Sequence, residues 1–127
     1  MMNDENNEKL DQKFPGLFPH GVWCEDGWFG LIHDLAVEIT RVAQRDGLEI
    51  RAERVQQKYG TLRVYLNTAA PPDIERAIDL AEERSLVTCE ATGRPGVLCE
   101  DQRGWLKVLS PEVAAERGFR PLLDPNL

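Results

Sequence analysis

Between Cys89 and Gly118 the chain carries the turns of a small metal-nucleated ribbon and almost none of the groups that would hold a metal. Tetrahedral zinc needs four Cys or His ligands; a Cys-x2-Cys pair on a Gly-rich turn, followed about seventeen residues later by Cys-x2-His at a helix start, would supply them. Here Cys89 stands alone, and Thr92, Ser110 and Val113 occupy the other three positions. Two hydroxyls and an isopropyl group are not a usual zinc donor set. A segment built on this plan must replace the metal-linked folding term by packing. The expected fillers are Leu98, Trp105, Leu106 and Val113, and no metal or cofactor is expected to bind.

The rest of the chain divides by hydrophobic period. Residues 1–13 are polar and acidic with Leu10 as the one apolar anchor, so they read as an arm or a short outer helix. Phe14, Leu17 and Phe18, set among prolines and glycines, are expected to plug the chain onto the core. Trp28, Leu31, Ile32, Leu35, Ile39 and Val42 recur at three and four, the spacing of one buried helix stripe, with Asp26 as its N-cap and Gly47 as its stop. Residues 48–57 and 62–67 alternate loosely around Lys58-Tyr59-Gly60-Thr61 and predict a hairpin. In it Leu62, Val64 and Leu66 face the helix while Arg63 and Tyr65 face away. Pro71-Pro72-Asp73 opens a second helix that runs to about Val87. Two short strands, 97–99 and 105–109, precede a helix capped by Ser110 and stopped by Gly118, and residues 119–127 read as an extended tail. The expectation is one α+β domain over residues 14–120, with helices on an antiparallel hairpin and a ribbon-like subregion at 88–118. Residues 1–13 and 121–127 are its arm and tail.

The formal charge of −7 opposes a phosphate backbone and argues against double-stranded nucleic acid as a partner. It favours encounter with a basic protein surface. No run is long and apolar enough to span a membrane, and the acidic amino end is unlike a secretory signal, so a cytoplasmic location is expected. Cys24, Cys89 and Cys99 are then expected to stay mostly reduced, with a Cys89–Cys99 bridge as the alternative.

Three segments together carry a resemblance: Glu25-Asp26-Gly27-Trp28-Phe29, Gln57-Lys58-Tyr59-Gly60-Thr61-Leu62-Arg63-Val64-Tyr65, and the Cys89–Val113 stretch. Residues 14–120 are similar to a family of small uncharacterised bacteriophage and prophage proteins with a carboxy-terminal zinc-ribbon-like CxxC…CxxH module, here degenerate. The resemblance implies a mobile-element accessory protein and brings no catalytic residues with it.

No assembled catalytic set is legible. Cys24, His33 and Asp34 invite a nucleophile-base-orienter reading, but His33 and Asp34 are sequence neighbours on a helix, with side chains about 100° apart and not expected to pair. Glu25 with Asp26, and Glu100 with Asp101, are paired carboxylates better read as a helix cap and a solvated turn. Gly93-Arg94-Pro95-Gly96 lacks the lysine of a phosphate-binding loop. Binding candidates are clearer. Arg51, Arg54, Lys58 and Arg63, interleaved with Tyr59 and Tyr65, form the one basic and aromatic stretch. Trp23, beside Glu25 and Asp26, is either a protein-binding anchor or, together with Trp28, part of the core.

The expected function is therefore non-enzymatic. It is binding and inhibition of a host protein by a phage accessory protein, as in anti-CRISPR proteins, with Trp23, Glu25, Asp26, Arg54, Lys58 and Tyr59 as the contact set. An immunity protein that neutralises a cognate toxin is the alternative. A single-stranded nucleic-acid-binding or homodimeric regulatory module is a further one.

Overall fold

The computed structural model describes residues 1–122, so the expected tail from residue 123 onward lies outside the described residues. The architecture is α+β, with helices packed on one face of an antiparallel hairpin and a separate carboxy-terminal ribbon.

The amino-terminal segment is a docked helix, α1 (Asp4–Lys13). Asn3 caps it by accepting the Asn6 N–H at 2.8 Å, and Asp4 and Glu5 sit in the first turn, where the helix dipole favours them. Leu10 is buried as expected, and Met2 is a second anchor that the sequence reading missed. Asp26 explains the docking: its Oδ1 accepts from the Asn3 N–H and the Asn6 side-chain amide, both at 2.9 Å. With Asp26 so engaged, it does not cap the main helix. A 3-10 turn (Asp26–Trp28) leads instead into α2 (Phe29–Asp46). The predicted stripe is buried throughout, and Gly47, at φ 65°, ends the helix in the left-handed conformation. Phe14, Leu17 and Phe18 plug the core as expected.

The hairpin pairs β1 (Ala52–Lys58) with β2 (Thr61–Leu66) in the register Lys58↔Thr61, Gln56↔Arg63 and Arg54↔Tyr65. Tyr59 (φ 55°) and Gly60 (φ 82°) both have positive φ, the requirement of the two-residue turn whose twist matches its strands. β1 begins at Ala52, four residues later than the pattern suggested. Ahead of it the Arg51 N–H donates to the Asn67 side chain, and the pairing then shifts by one residue between Ala52 and Arg54. A third extended segment lies along β1. The Trp23 N–H donates to Val55 O and Trp23 O accepts from the Gln57 N–H, so Trp23 runs parallel to Gln56.

α3 (Pro72–Ser85) packs on α2 and buries Ile74 and Ala81. It ends two residues before the predicted Val87 because Leu86 and Val87 make tighter three-residue bonds, to Glu83 O and Arg84 O, while the Thr88 hydroxyl takes Arg84 O as well. The ribbon is β3 (Val97–Glu100) flanked by β4 (Leu106–Leu109) and by β5 (Arg120–Pro121). The start of the expected free tail is thus a paired strand. Between β4 and β5, α4 (Pro111–Arg117) begins on the predicted Ser110 cap and stops at Gly118.

The ribbon has a small core of its own, made of Cys89, Cys99, Leu109, Val113 and Ala114. Val113 fills it as expected. Trp105 does not: it is 65% exposed, because its backbone is bound into the Asp101 turn at the ribbon's end. Leu98 and Leu106 instead meet the hairpin tip at Gly60, where a β-carbon would lie 2.5 Å from Leu98 Cδ1.

The two cores join where Gly27 sits on the Cys89–Gly93 turn. A β-carbon at Gly27 would lie 2.4 to 2.6 Å from Cys89 O, Glu90 O and Gly93 N, all backbone atoms that cannot swing aside. Gly30, in α2, has nothing within 4 Å of that position. Gly27→Ala is expected to cost about 2 kcal/mol or more, whereas Gly30→Ala is expected to stabilise by about 0.5–1 kcal/mol. Urea denaturation of both variants checks the contrast, and equal effects would mean that the junction is loose.

Candidate functional site

The outer face of the hairpin, extended by the bridge from Trp23 to β1, is the first candidate. Directly paired residues share a face, so the register puts Trp23, Gln56 and Arg63 in one row, Arg54 and Tyr65 in the next, and Lys58 with Thr61 at the tip. Trp23 is 54% exposed, although Val22 and Cys24 on either side of it are buried. Its ring is held by Nε1–H donation to His20 O at 2.9 Å. The Arg54 guanidinium lies 5.6 Å from the Tyr65 ring centroid, and Lys58 Nζ lies 5.8 Å from that of Tyr59, exposed contacts worth about 0.5–1 kcal/mol each. The ion pairs among the described residues involve none of Arg54, Lys58 and Arg63. This face is locally cationic and aromatic on a chain of net charge −7.

The predicted contact set is divided by the fold. Trp23, Arg54, Lys58 and Tyr59 come together on or beside the hairpin. Glu25 and Asp26 are engaged within the chain, Asp26 by α1 and Glu25 by Arg117 (2.8 and 2.9 Å) and Lys107 (2.5 Å). The outward orientation of Tyr65 follows the strand alternation; its pairing with Arg54 follows from the strand register.

The second candidate is that junction of charges. Lys107 also reaches Glu90, at 3.4 Å, and Glu90 Oε2 accepts the Glu25 N–H at 3.1 Å. Glu90 is 1% exposed and its Oε1 is buried without a partner. Burial raises the Glu90 carboxyl above the ordinary range, only partly countered by Lys107. Burial pushes Glu25 the same way, but hydrogen bonds from Arg117 and Lys107 outweigh it and hold that carboxyl at about 2. Two carboxylates pushed apart in this way could divide acid and base roles. Here both instead bind the loop to the ribbon and α4.

Thr92, Ser110 and Val113 come together at Cys89. Burial works against the thiolate, yet the hydroxyl and backbone groups of Thr92 and Ser110 face the sulfur and bring its pKa below the ordinary value. Both hydroxyl oxygens accept elsewhere, Thr92 from the Arg94 N–H and Ser110 from the Val113 N–H, which leaves their protons free to point at sulfur. One thiol, two hydroxyls and the Val113 methyls do not fit tetrahedral zinc. Cys99 lies in the same core, and all three cysteines are free thiols.

The remaining candidates do not assemble. Cys24 is buried, and burial followed by the negative charge of Glu90 pushes its thiol up, away from nucleophilic use. His33 and Asp34 do pair, contrary to expectation, with Nδ1 and Oδ1 3.3 Å apart. Adjacent helix side chains reach each other here because Lys13 Nζ donates to His33 Nε2 at 2.7 Å, which leaves Nδ1–H to face the carboxylate. Asp101 serves its own turn, accepting the Arg103 and Trp105 N–H groups at 2.9 Å.

Stability should respond to the two glutamates with opposite sign. The raised Glu90 pKa makes folding less favourable as pH rises from the ordinary carboxylate value through the folded one, and Glu90→Gln should flatten that decline. The depressed Glu25 pKa contributes stability that is present above its ordinary value and is lost as pH falls towards about 2. Glu25→Gln should remove that acid limb and cost about 1–3 kcal/mol near neutrality. Urea midpoints across pH read both effects. A triple Thr92→Cys, Ser110→Cys, Val113→His variant should bind about one equivalent of Zn²⁺ by elemental analysis, and a folded variant that binds none would show that these positions do not form a tetrahedron.

No described helix is long and apolar enough to cross a membrane. No protein-family model, characterised protein or solved structure matches the chain.

Proposed function

We propose that this protein acts by binding another protein through the outer face of its sheet, with Trp23 as the anchor and Arg54 and Lys58 as charged contacts. The observation that carries this reading is the placement of Trp23: its backbone is locked beside β1 and its indole is fixed by His20, yet the ring faces solvent. A rigid exposed aromatic beside unpaired cations loses little side-chain freedom on binding, the usual make-up of an interface hot spot. The contact patch is cationic, so the partner surface that meets it presents carboxylates or carbonyls around an apolar recess. An acidic partner surface thus replaces the basic one expected from the net charge of −7. The resemblance to phage proteins supports a narrower role, inhibition of a host protein by a mobile-element product. A toxin as partner would make it an immunity protein by the same contact.

The Arg54–Tyr65 pair favours one second reading, stacking of single-stranded nucleic acid on the sheet. The net charge of −7 opposes it.

Affinity capture should recover a specific protein with the wild-type chain, and Trp23→Ala should weaken that complex by about 2 kcal/mol, roughly thirtyfold. Because Trp23 is exposed, the variant should fold. Equal capture by both proteins, or none by either, would remove the reading. Salt-sensitive binding of single-stranded oligonucleotides, lost in Arg54→Glu, would replace it with the second.

A further inference from the structure

A groove of about 700 Å³ runs between α2 and α3, on elements that the proposed sheet contact does not use. Leu31, Leu35, Ala77 and Ala81 form its floor. Leu80 and Val87 stand at its mouth, 54% and 63% exposed. Ion pairs brace the two helices across it: Arg84 with Asp34 at 2.9 Å and Arg45 with Asp73 at 3.0 Å. Glu38 and Arg41 pair with each other on α2. Of the charged side chains that line the groove, these pairs leave two without a partner among the described residues, Arg76 and Glu83.

Those two residues have opposite charge, stand seven positions apart on one face of α3, about 10 Å along the helix, and flank Leu80. That arrangement is self-complementary. We infer that the groove is an isologous dimer interface, in which α3 of a second copy of this chain lies antiparallel across α3 about a two-fold axis beside Leu80. Arg76 then meets the partner's Glu83 and Glu83 meets the partner's Arg76, so one contact satisfies both lone charges twice. The Leu80 and Val87 side chains leave water on the apolar floor. A head-to-tail contact would satisfy only one charge per copy. An unrelated helix would need an acid and a base in this order around an apolar residue, and α3 already carries that pattern.

Sedimentation equilibrium over a concentration series tests the inference. The wild-type chain should dimerise, and Leu80→Glu, a change at an exposed position, should leave a folded monomer by circular dichroism. Arg76→Glu should weaken the dimer roughly tenfold, and the double variant Arg76→Glu, Glu83→Arg should recover it. Trp23→Ala should leave it unchanged, which separates this surface from the sheet contact. A wild-type chain that stays monomeric at the highest soluble concentration overturns the inference. So does a dimer indifferent to Leu80→Glu, or a double variant no better than the single one.

Discussion

The fold depends on a backbone-to-backbone contact between Gly27 and the turn that begins at Cys89. The Gly27 N–H donates to Glu90 O at 2.7 Å, and the neighbouring Trp28 indole donates to Thr88 O at 2.8 Å from inside the main core. These bonds attach the ribbon to the helices, and they exist because residue 27 has no side chain to hold the two backbones apart. Glu25 bonds to Glu90 and Arg117, Asp26 to Asn3 and Asn6, Gly27 to Glu90 and Trp28 to Thr88, which makes one short loop the meeting point of α1, α2, the ribbon and α4.

That attachment lets a very small core survive. Five buried residues would not by themselves hold a ribbon of this length, and the usual remedy for such a segment is a metal. Here Val113 contributes a buried side chain, Ser110 a helix cap, and Thr92 and Ser110 hydroxyl groups beside the single sulfur of Cys89. Around this core the chain accepts a buried carboxylate with one unpaired oxygen. Such groups lower stability and favour one docking geometry over others, since another docking of the ribbon leaves Glu90 Oε2 without the Glu25 N–H.

The molecule thus carries two surfaces of different chemistry. The sheet face is aromatic and cationic, set against the acidic balance of the whole, so its local potential and the net charge pull towards different partners. The helical groove is apolar with balanced charges, which suits contact with an identical surface. The proposed partner contact uses the strands and the proposed self-contact uses the helices, so one does not require the loss of the other.

Sequence alone determined those elements whose signal is local. The stripe from Trp28 to Val42, the turn at Tyr59-Gly60, the Ser110 cap and the inward row Leu62, Val64, Leu66 are set by side-chain period, by a turn glycine or by a capping hydroxyl, and the structure places them as read. The docking of α1 was half visible: Asn3-Asp4-Glu5 is a cap followed by acids in a first turn, but the partner that holds it, Asp26, is twenty-three residues away. Long-range pairing decided the rest. Whether Trp23 or Trp105 is buried depends on which strand lies beside it, and no period in the sequence records that. The pairing of Arg54 with Tyr65, the engagement of Glu25 by Arg117 and the strand formed by Arg120 likewise arise only when distant segments meet, because hydrogen-bond register and charge contact are properties of two segments and not of either one.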